Sequence, residues 1–332
     1  MYTADIPCIV NGHQLMCICY ADDTQVYLHL KVGKIPVVKG MVEDCISHVH
    51  RWLASNRLRL NPDKPEVMWC SSAIRAGTFD QPSLIIGHST NSPSNVVRDL
   101  GVQLRGDLSV ADQVSKVVRS CYYNIQQLRT IRSSLTSDAL RDAAYALIWS
   151  RLDYCNALYL NAPMCELHRL QILINTAARV VPGRPRFDRI TDFVKDVLHW
   201  LPITQRVHFK VCTLVYKATH GLAPTYLSDL VVKSTVISRR CDLRSSAHSQ
   251  LLPAPHRRQF VERAFEVDGP MLWNSLPDAI CDATSLTTFR RLLKGHLYNH
   301  RVWKQLVMMV ITSAWILIAK RRCGLVVLNG AI

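Results

Sequence analysis

The chain has 332 residues, 48% of them hydrophobic, enough for two or three modest cores and too apolar for a disordered protein. Forty Lys and Arg against 25 Asp and Glu give a formal charge of +15 and a pI near 9.5, which favours a polyanionic partner over an ordinary neutral one. Twelve scattered cysteines, with no Cys-x-x-Cys pair and no zinc-type His spacing, argue against a zinc knuckle and for small core residues in a reducing compartment.

No secretory signal opens the chain: Met1 to Ile18 lacks a basic n-region and carries Asp5 and His13. Two apolar runs follow, Leu15 to Tyr20 and Thr24 to Leu30. In the second, Val26, Leu28 and Leu30 alternate with Gln25, Tyr27 and His29, the period of a half-buried strand. Asp22 and Asp23 sit at the turn between them. A bare Asp-Asp pair is most often only a turn. In a buried hairpin tip, however, two like charges need a cation against them, and oxygen-only ligands point to magnesium.

Helical spacing of Met41, Val42, Cys45, Ile46, Val49, Trp52 and Leu53 predicts a helix that is stopped at Asn61-Pro62. Lys64 to Cys70, Pro82 to Pro93 and Val96 to Leu104 each read as one strand, together completing a small sheet. Ser109 caps a helix with an apolar stripe of Val110, Val114, Val117, Cys121, Ile125 and Leu128, while Lys116, Arg119, Arg129 and Arg132 project elsewhere. Leu140 to Leu152 and Leu167 to Val181 give two more amphipathic helices, separated by Asn161-Ala162-Pro163. The breaker-rich stretch from Pro182 to Arg186 reads as a linker. Beyond it, a helix from Arg206 to Thr219 is closed by Gly221 and Pro224, and another begins at Ser285 with Leu286, Phe289, Leu292, Leu293 and Leu297 on one side. Residues 234–263 are polar, basic and weakly periodic, which predicts a loop or partial disorder. Leu306 to Ala319 is an uncharged run of fourteen, short of the roughly 20 residues of a membrane span. It reads as an appended tail that packs poorly, with a membrane anchor as the alternative.

Cys19-Tyr20-Ala21-Asp22-Asp23-Thr24-Gln25-Val26-Tyr27-Leu28 resembles the aromatic-Ala-Asp-Asp motif of reverse transcriptases, in the form found in non-LTR, LINE-type retrotransposons. The resemblance continues to about residue 300. It takes in the Tyr2–Pro7 lead-in, Trp52–Lys64 and Leu100–Leu104, and then Ser150–Asn156, Leu198–Pro202, His220–Pro224 and Leu272–Pro277, similar to segments that follow the polymerase. It implies an α+β, mostly α fold: a partial polymerase palm over 1–105, a helical thumb-like region over 106–181 and a basic helical region over 182–300. The tail, 301–332, falls outside it.

The resemblance further implies that Asp22 and Asp23 are catalytic magnesium ligands, Asp22 the more direct. It implies that Lys64 is a general acid for the pyrophosphate leaving group, although Pro65 stands where the family usually has a hydroxyl residue. The family's other essential Asp, its Gly-rich segment and its fingers come earlier, and nineteen residues before Tyr20 are too few for them. The expectation is therefore the downstream part of an RNA-directed DNA polymerase, inactive alone unless a partner supplies the missing half or another carboxylate, Asp5 or Asp99, completes the site. Independently of catalysis, Arg184, Arg186, Arg189, Lys195, Arg206, Lys210, Arg239, Arg240, Arg244, Arg257, Arg258 and Arg263, interleaved with Phe187, Trp200 and Phe260, suit phosphates and unpaired bases of RNA or DNA. The alternatives are a solvated basic face, in a non-catalytic binding module or an inert product of a decayed element.

Overall fold

The computed structural model describes residues 4–21, 23–30, 32–61, 64–71, 79–87, 89–185, 187–233, 250–255, 264–299 and 324–331. The chain divides into two units, Met1–Gln113 with Leu317–Ile332, and Val114–Ile316. Pro182 to Arg186 lies inside the second.

In the first unit, a proline in its opening turn starts α1 (Ile6–Gly12), and the hairpin β1 (Met16–Tyr20) and β2 (Asp23–Leu30) follows. Helix α2 (Ile35–Ser55) starts at its own proline and ends where Asn56 turns its side-chain amide back to the Trp52 carbonyl, 2.9 Å away. The chain then enters β3 (Glu66–Cys70). The predicted single strand over 82–93 is instead a hairpin, β4 (Leu84–Ile86) and β5 (Ser89–Asn91), because Gly87 at φ +62° permits the reversal. The one predicted over 96–104 is likewise a hairpin, β6 (Val96–Asp99) and β7 (Val102–Arg105). Leu100 and Gly101 both have positive φ, the conformation of a tight two-residue turn. These two hairpins are separate two-stranded sheets and do not extend the main one.

That main sheet is completed from the far end of the chain. After β8 (Val232–Lys233) and β9 (Leu251–Leu252), which pair in the second unit, the last strand, β10 (Gly324–Ala331), runs between β2 and β3, giving the order β1-β2-β10-β3. It is antiparallel to both neighbours, with Gly324 opposite Leu30, Ala331 opposite Asp23, Leu325 opposite Cys70 and Asn329 opposite Glu66. So β2 and β3 run parallel, joined by α2 across a gap one strand wide: a split βαβ unit that β10 fills. Part of the expected tail is thus a sheet strand, as its run of apolar β-formers allows, while residues 306–319 lie outside the described residues. Among the described residues no helix is long and apolar enough to cross a membrane.

The core of this unit joins Ile6, Val10 and Leu15 to Val26 and Leu30 of β2, Val38, Val42, Cys45 and Leu53 of α2, and Val67 and Trp69 of β3. The opposite side chains of β3, Met68 and Cys70, are buried with Val97 and Leu104, so β3 is covered on both faces. Ser71 donates its N–H to the Gly106 carbonyl (2.8 Å) and Ser94 to that of Val67 (2.8 Å). A Cβ on Gly106 would lie 2.8 Å from the Trp69 carbonyl, so only glycine fits there.

In the second unit α3 (Ala111–Ile131) buries Val114, Val117, Cys121, Ile125 and Leu128, with Ser109 accepting from the Ala111 N–H at its start. Helix α4 (Ser137–Ala144), capped by Thr136, passes through a π-helical turn, Tyr145–Trp149, into α5 (Ser150–Asp153). Then come α6 (Met164–Val180), a second π-helical turn at Phe193–Val197, α7 (Ile203–Thr219), α8 (Thr225–Ser228), α9 (Phe265–Asn274), α10 (Asp278–Cys281) and α11 (Leu286–Asn299). Tyr216, Trp273 and Phe289 stack at the centre of a core that includes Cys212, Val215, Leu251, Ile280, Leu293 and Leu297. The Tyr216 hydroxyl donates to the Ala283 carbonyl at 2.8 Å. The mostly helical chain with small antiparallel sheets is of the α+β class.

Candidate functional site

Asp23 opens β2, opposite Tyr20 across the hairpin and Ala331 on the other side, and Ala21 reverses the chain at φ +56°. The tip is not buried, as the apolar run had suggested. Strand β1 is the outermost of its sheet, Ile18 and Tyr20 are 53% and 66% exposed, and water reaches the turn. Asp23 itself is half-buried. Asp22 lies outside the described residues.

Asp99, at the end of β6, stands close to Asp23. Gln25, two residues along β2, donates its amide N–H to Asp99 Oδ1 at 2.5 Å. Burial holds the Asp99 carboxyl above its ordinary range, the Gln25 hydrogen bond pulls it back, and the Asp23 charge pushes it further up. Of the two extra carboxylates named from sequence, Asp99 stands beside the hairpin through Gln25 and Asp23. Among the described residues no group of three or more His, Cys, Asp and Glu side chains is placed to hold a metal ion. Asp23 and Asp99 alone supply too few oxygen ligands for a magnesium centre.

Lys64 is exposed in the turn leading into β3, its N–H directed at the Asn61 carbonyl (3.4 Å). Lys64 precedes β3 by two residues, at the end of the strand where Glu66 lies opposite Asn329, and Ala331, two residues further along β10, lies opposite Asp23. Asp23, Asp99 and Lys64 thus share one end of the sheet. Strand β10 separates Lys64 from the hairpin, and its sequence, Gly-Leu-Val-Val-Leu-Asn-Gly-Ala, brings no carboxylate.

The basic surface divides. Arg184 and Arg189 are exposed, bonded to each other by Arg184 Nη1 donating to the Arg189 carbonyl (3.1 Å), and Phe187 between them is 92% exposed. Lys195 and Lys210 are also exposed. Arg206 does not belong to this surface. It forms a two-pronged pair with Asp153 while its guanidinium lies over the Trp149 ring at 4.0 Å, so it is occupied inside the unit. Trp200 is buried edge-on against Trp149, 4.9 Å between ring centres, and cannot stack on a base. Arg186, Arg239, Arg240, Arg244, Arg257, Arg258, Phe260 and Arg263 lie outside the described residues. What the reading by residue type missed is the other side of the same turn, where Arg129, Arg132 and Arg179 converge on Arg184. A Gly just past a helix end, with arginines in the last turn, was the available signal.

Among the described cysteines, Cys45, Cys70, Cys121 and Cys212 are the core residues expected, whereas Cys8, Cys19, Cys155 and Cys165 are exposed. Desolvation pushes the thiols of Cys45 and Cys121 up to about 11 and those of Cys70 and Cys212 to about 12, which leaves them unreactive.

Over 209 residues, 59% of its length, the chain is 25% identical to a probable RNA-directed DNA polymerase from transposon BS of Drosophila melanogaster. The match spans 22% of that relative, so the chain corresponds to less than a quarter of it. No family model matches the chain, and no solved structure matches it.

Proposed function

We propose that this chain is a portion of a non-LTR retrotransposon reverse transcriptase that binds RNA or DNA and does not polymerise by itself. The reading rests on the similarity to the transposon polymerase, a distant relative whose chemistry requires a nucleic-acid partner. It is supported by the +15 charge and by the exposed Arg184, Phe187 and Arg189, cations for phosphates beside a ring on which a base can stack.

Two-metal nucleotidyl transfer requires carboxylates that hold both ions, so that the attacking and leaving oxygens are stabilised together. In this reading Asp22 and Asp23 are the family's hairpin pair, and bound magnesium would supply the charge that activates the primer hydroxyl and stabilises the leaving pyrophosphate. Lys64, at the same end of the sheet, would be the proton donor to that leaving group. Asp99 is held above the ordinary carboxylate range by burial and by the neighbouring Asp23 charge, with the Gln25 hydrogen bond pulling it back. The strand beside Asp23 on its inner side carries no carboxylate.

The test is primer extension on an RNA template with magnesium. No template-dependent incorporation is expected from the purified chain. Incorporation that vanishes in both Asp23→Ala and Asp99→Ala would contradict the reading and make Asp99 the completing ligand.

A further inference from the structure

Two helix ends in the second unit bring four arginines together. Arg129 lies in the last turn of α3 and Arg132 in the short 3-10 turn after it; Arg179 lies in the last turn of α6 and Arg184 just beyond it. With Val180 and Gly183 they line one open cavity of about 190 Å³. Three of the guanidiniums are held by main-chain carbonyls. Arg132 Nε donates to Val180 O (3.1 Å), Arg179 Nη2 to Asp188 O (3.1 Å) and Arg184 Nη1 to Arg189 O (3.1 Å), while Arg184 also lies 5.6 Å from the centre of the Phe193 ring. Gly183, at φ +69°, ends α6, and a Cβ there would collide with the Arg132 guanidinium, so glycine is what lets that side chain lie across the turn.

Each guanidinium has five N–H donors, and the carbonyls use only one or two from each of Arg132, Arg179 and Arg184. The same unit pairs Arg141, Arg169 and Arg206 with carboxylates, yet none of the four pocket arginines is in an ion pair among the described residues. A cation at a helix C-terminus is ordinary, because the dipole favours it there. That accounts for each arginine singly. It does not account for four converging on one concavity with unspent donors, an arrangement whose mutual repulsion an anion among them would relieve. Oriented forks of this kind suit the tetrahedral oxygens of a phosphate.

We propose that this pocket is a phosphate seat and that its occupant is a backbone phosphate of a single-stranded nucleic acid. The inference rests on the nucleic-acid reading above and locates it. The seat fixes the strand at a point from which the exposed Phe187, on the same loop, offers a ring for stacking.

Binding of the full chain to a fluorescein-labelled oligo(U) 20-mer, followed by anisotropy across a salt series, is compared for Arg129→Gln/Arg184→Gln and for Arg290→Gln/Arg291→Gln, a charge-matched pair on exposed α11 positions. The pocket pair should weaken binding about tenfold or more at low salt and lower the salt slope by about 0.7 for each phosphate no longer neutralised, with the α11 pair changing affinity less than about twofold. In parallel, phenylglyoxal modification of the wild-type chain is read by peptide mass spectrometry. Inorganic phosphate and the oligonucleotide should each protect Arg129, Arg132, Arg179 and Arg184 and leave Arg290 unprotected. Oligonucleotide binding that the pocket pair weakens no more than the α11 pair, without protection of the four, overturns the seat and leaves the nucleic-acid reading standing. Protection by inorganic phosphate with no oligonucleotide binding keeps an anion seat and removes the nucleic-acid occupant. Neither protection nor binding overturns both.

Discussion

The two units are stabilised in opposite ways. The second is built from neighbours in sequence: α9, α10 and α11 close on α7 within about a hundred residues, and three aromatic rings, Tyr216, Trp273 and Phe289, seal their meeting point. The first depends on a partner from more than 250 residues away, since β2 and β3 have no hydrogen bonds to each other and meet only through β10. A core whose elements come from one continuous stretch of about a hundred residues tolerates loss elsewhere in the chain. A sheet with an internal vacancy does not, because two rows of backbone donors and acceptors lose their partners at once.

The largest effect that would break this contrast comes from Val327→Pro. Val327 faces Tyr27 on one side and Met68 on the other, and proline there removes a ladder donor and clashes with a central strand, costing about 3 kcal/mol or more. Hydrogen exchange should accelerate across β2 and β3 while α6, α7 and α11 keep their protection. Slow exchange retained in β2 and β3 would mean the strand is dispensable. The matching change in the second unit is Trp273→Ala, which leaves a cavity between Tyr216 and Phe289 and should destabilise by about 3–5 kcal/mol. Here exchange should rise in α7, α9 and α11 and stay unchanged in the β1–β2 hairpin. Simultaneous destabilisation of both units would show that they do not fold separately.

The smallest effect sharpens the account of the hairpin. Asp99 has a folded-state value raised above its unfolded one, so its charged form is disfavoured by folding. Its contribution is therefore most favourable at low pH and declines as pH rises through the carboxylate range. Asp99→Asn keeps an acceptor for Gln25 and removes the charge facing Asp23. It should stabilise the chain at pH 7 by about 0.5 kcal/mol and remove that pH dependence, measured by urea denaturation at pH 4 and pH 7. An equal loss of stability at both pH values would show that the carboxylate is needed for the Gln25 hydrogen bond itself.

Periodicity was sufficient for much of this architecture. The stripe from Val114 to Leu128, the Ser109 cap, the Gly221 stop after α7 and the apolar side of α11 are all in the pattern of the chain, because each is decided within a turn or two. Leu292, grouped with the inner face of α11, is 37% exposed, since a stripe read from residue types does not fix its own width. The pairing of β10 with β2 and β3 was not legible, because strand pairing across the chain leaves no local signature. The reversals at Gly87 and Leu100-Gly101 lie inside runs that alternate like single strands, so the pattern alone does not separate one strand from a tight hairpin.

The segments that prompted the family resemblance also have structural work. Asp153 pairs with Arg206, Trp200 packs on Trp149, and His220 stacks on Tyr216 with ring centres 3.9 Å apart. Asn274 bonds both backbone groups of Leu251, at 3.0 and 2.8 Å. These residues explain why the second unit holds together. The arginine pocket was not legible because Arg129, Arg132, Arg179 and Arg184 are separated by up to 55 positions and are joined only by the way two helices end.

The most direct test of the account is the affinity of the purified full chain for oligo(U) and for unrelated single strands of equal length, measured by anisotropy from about 50 to 200 mM salt. The account predicts measurable binding at the low end, similar for all sequences. The logarithm of the association constant should fall linearly with the logarithm of salt, by about 0.7 per neutralised phosphate. No binding near 50 mM, or an affinity indifferent to salt, would contradict it and leave the positive charge as no more than a solvated surface.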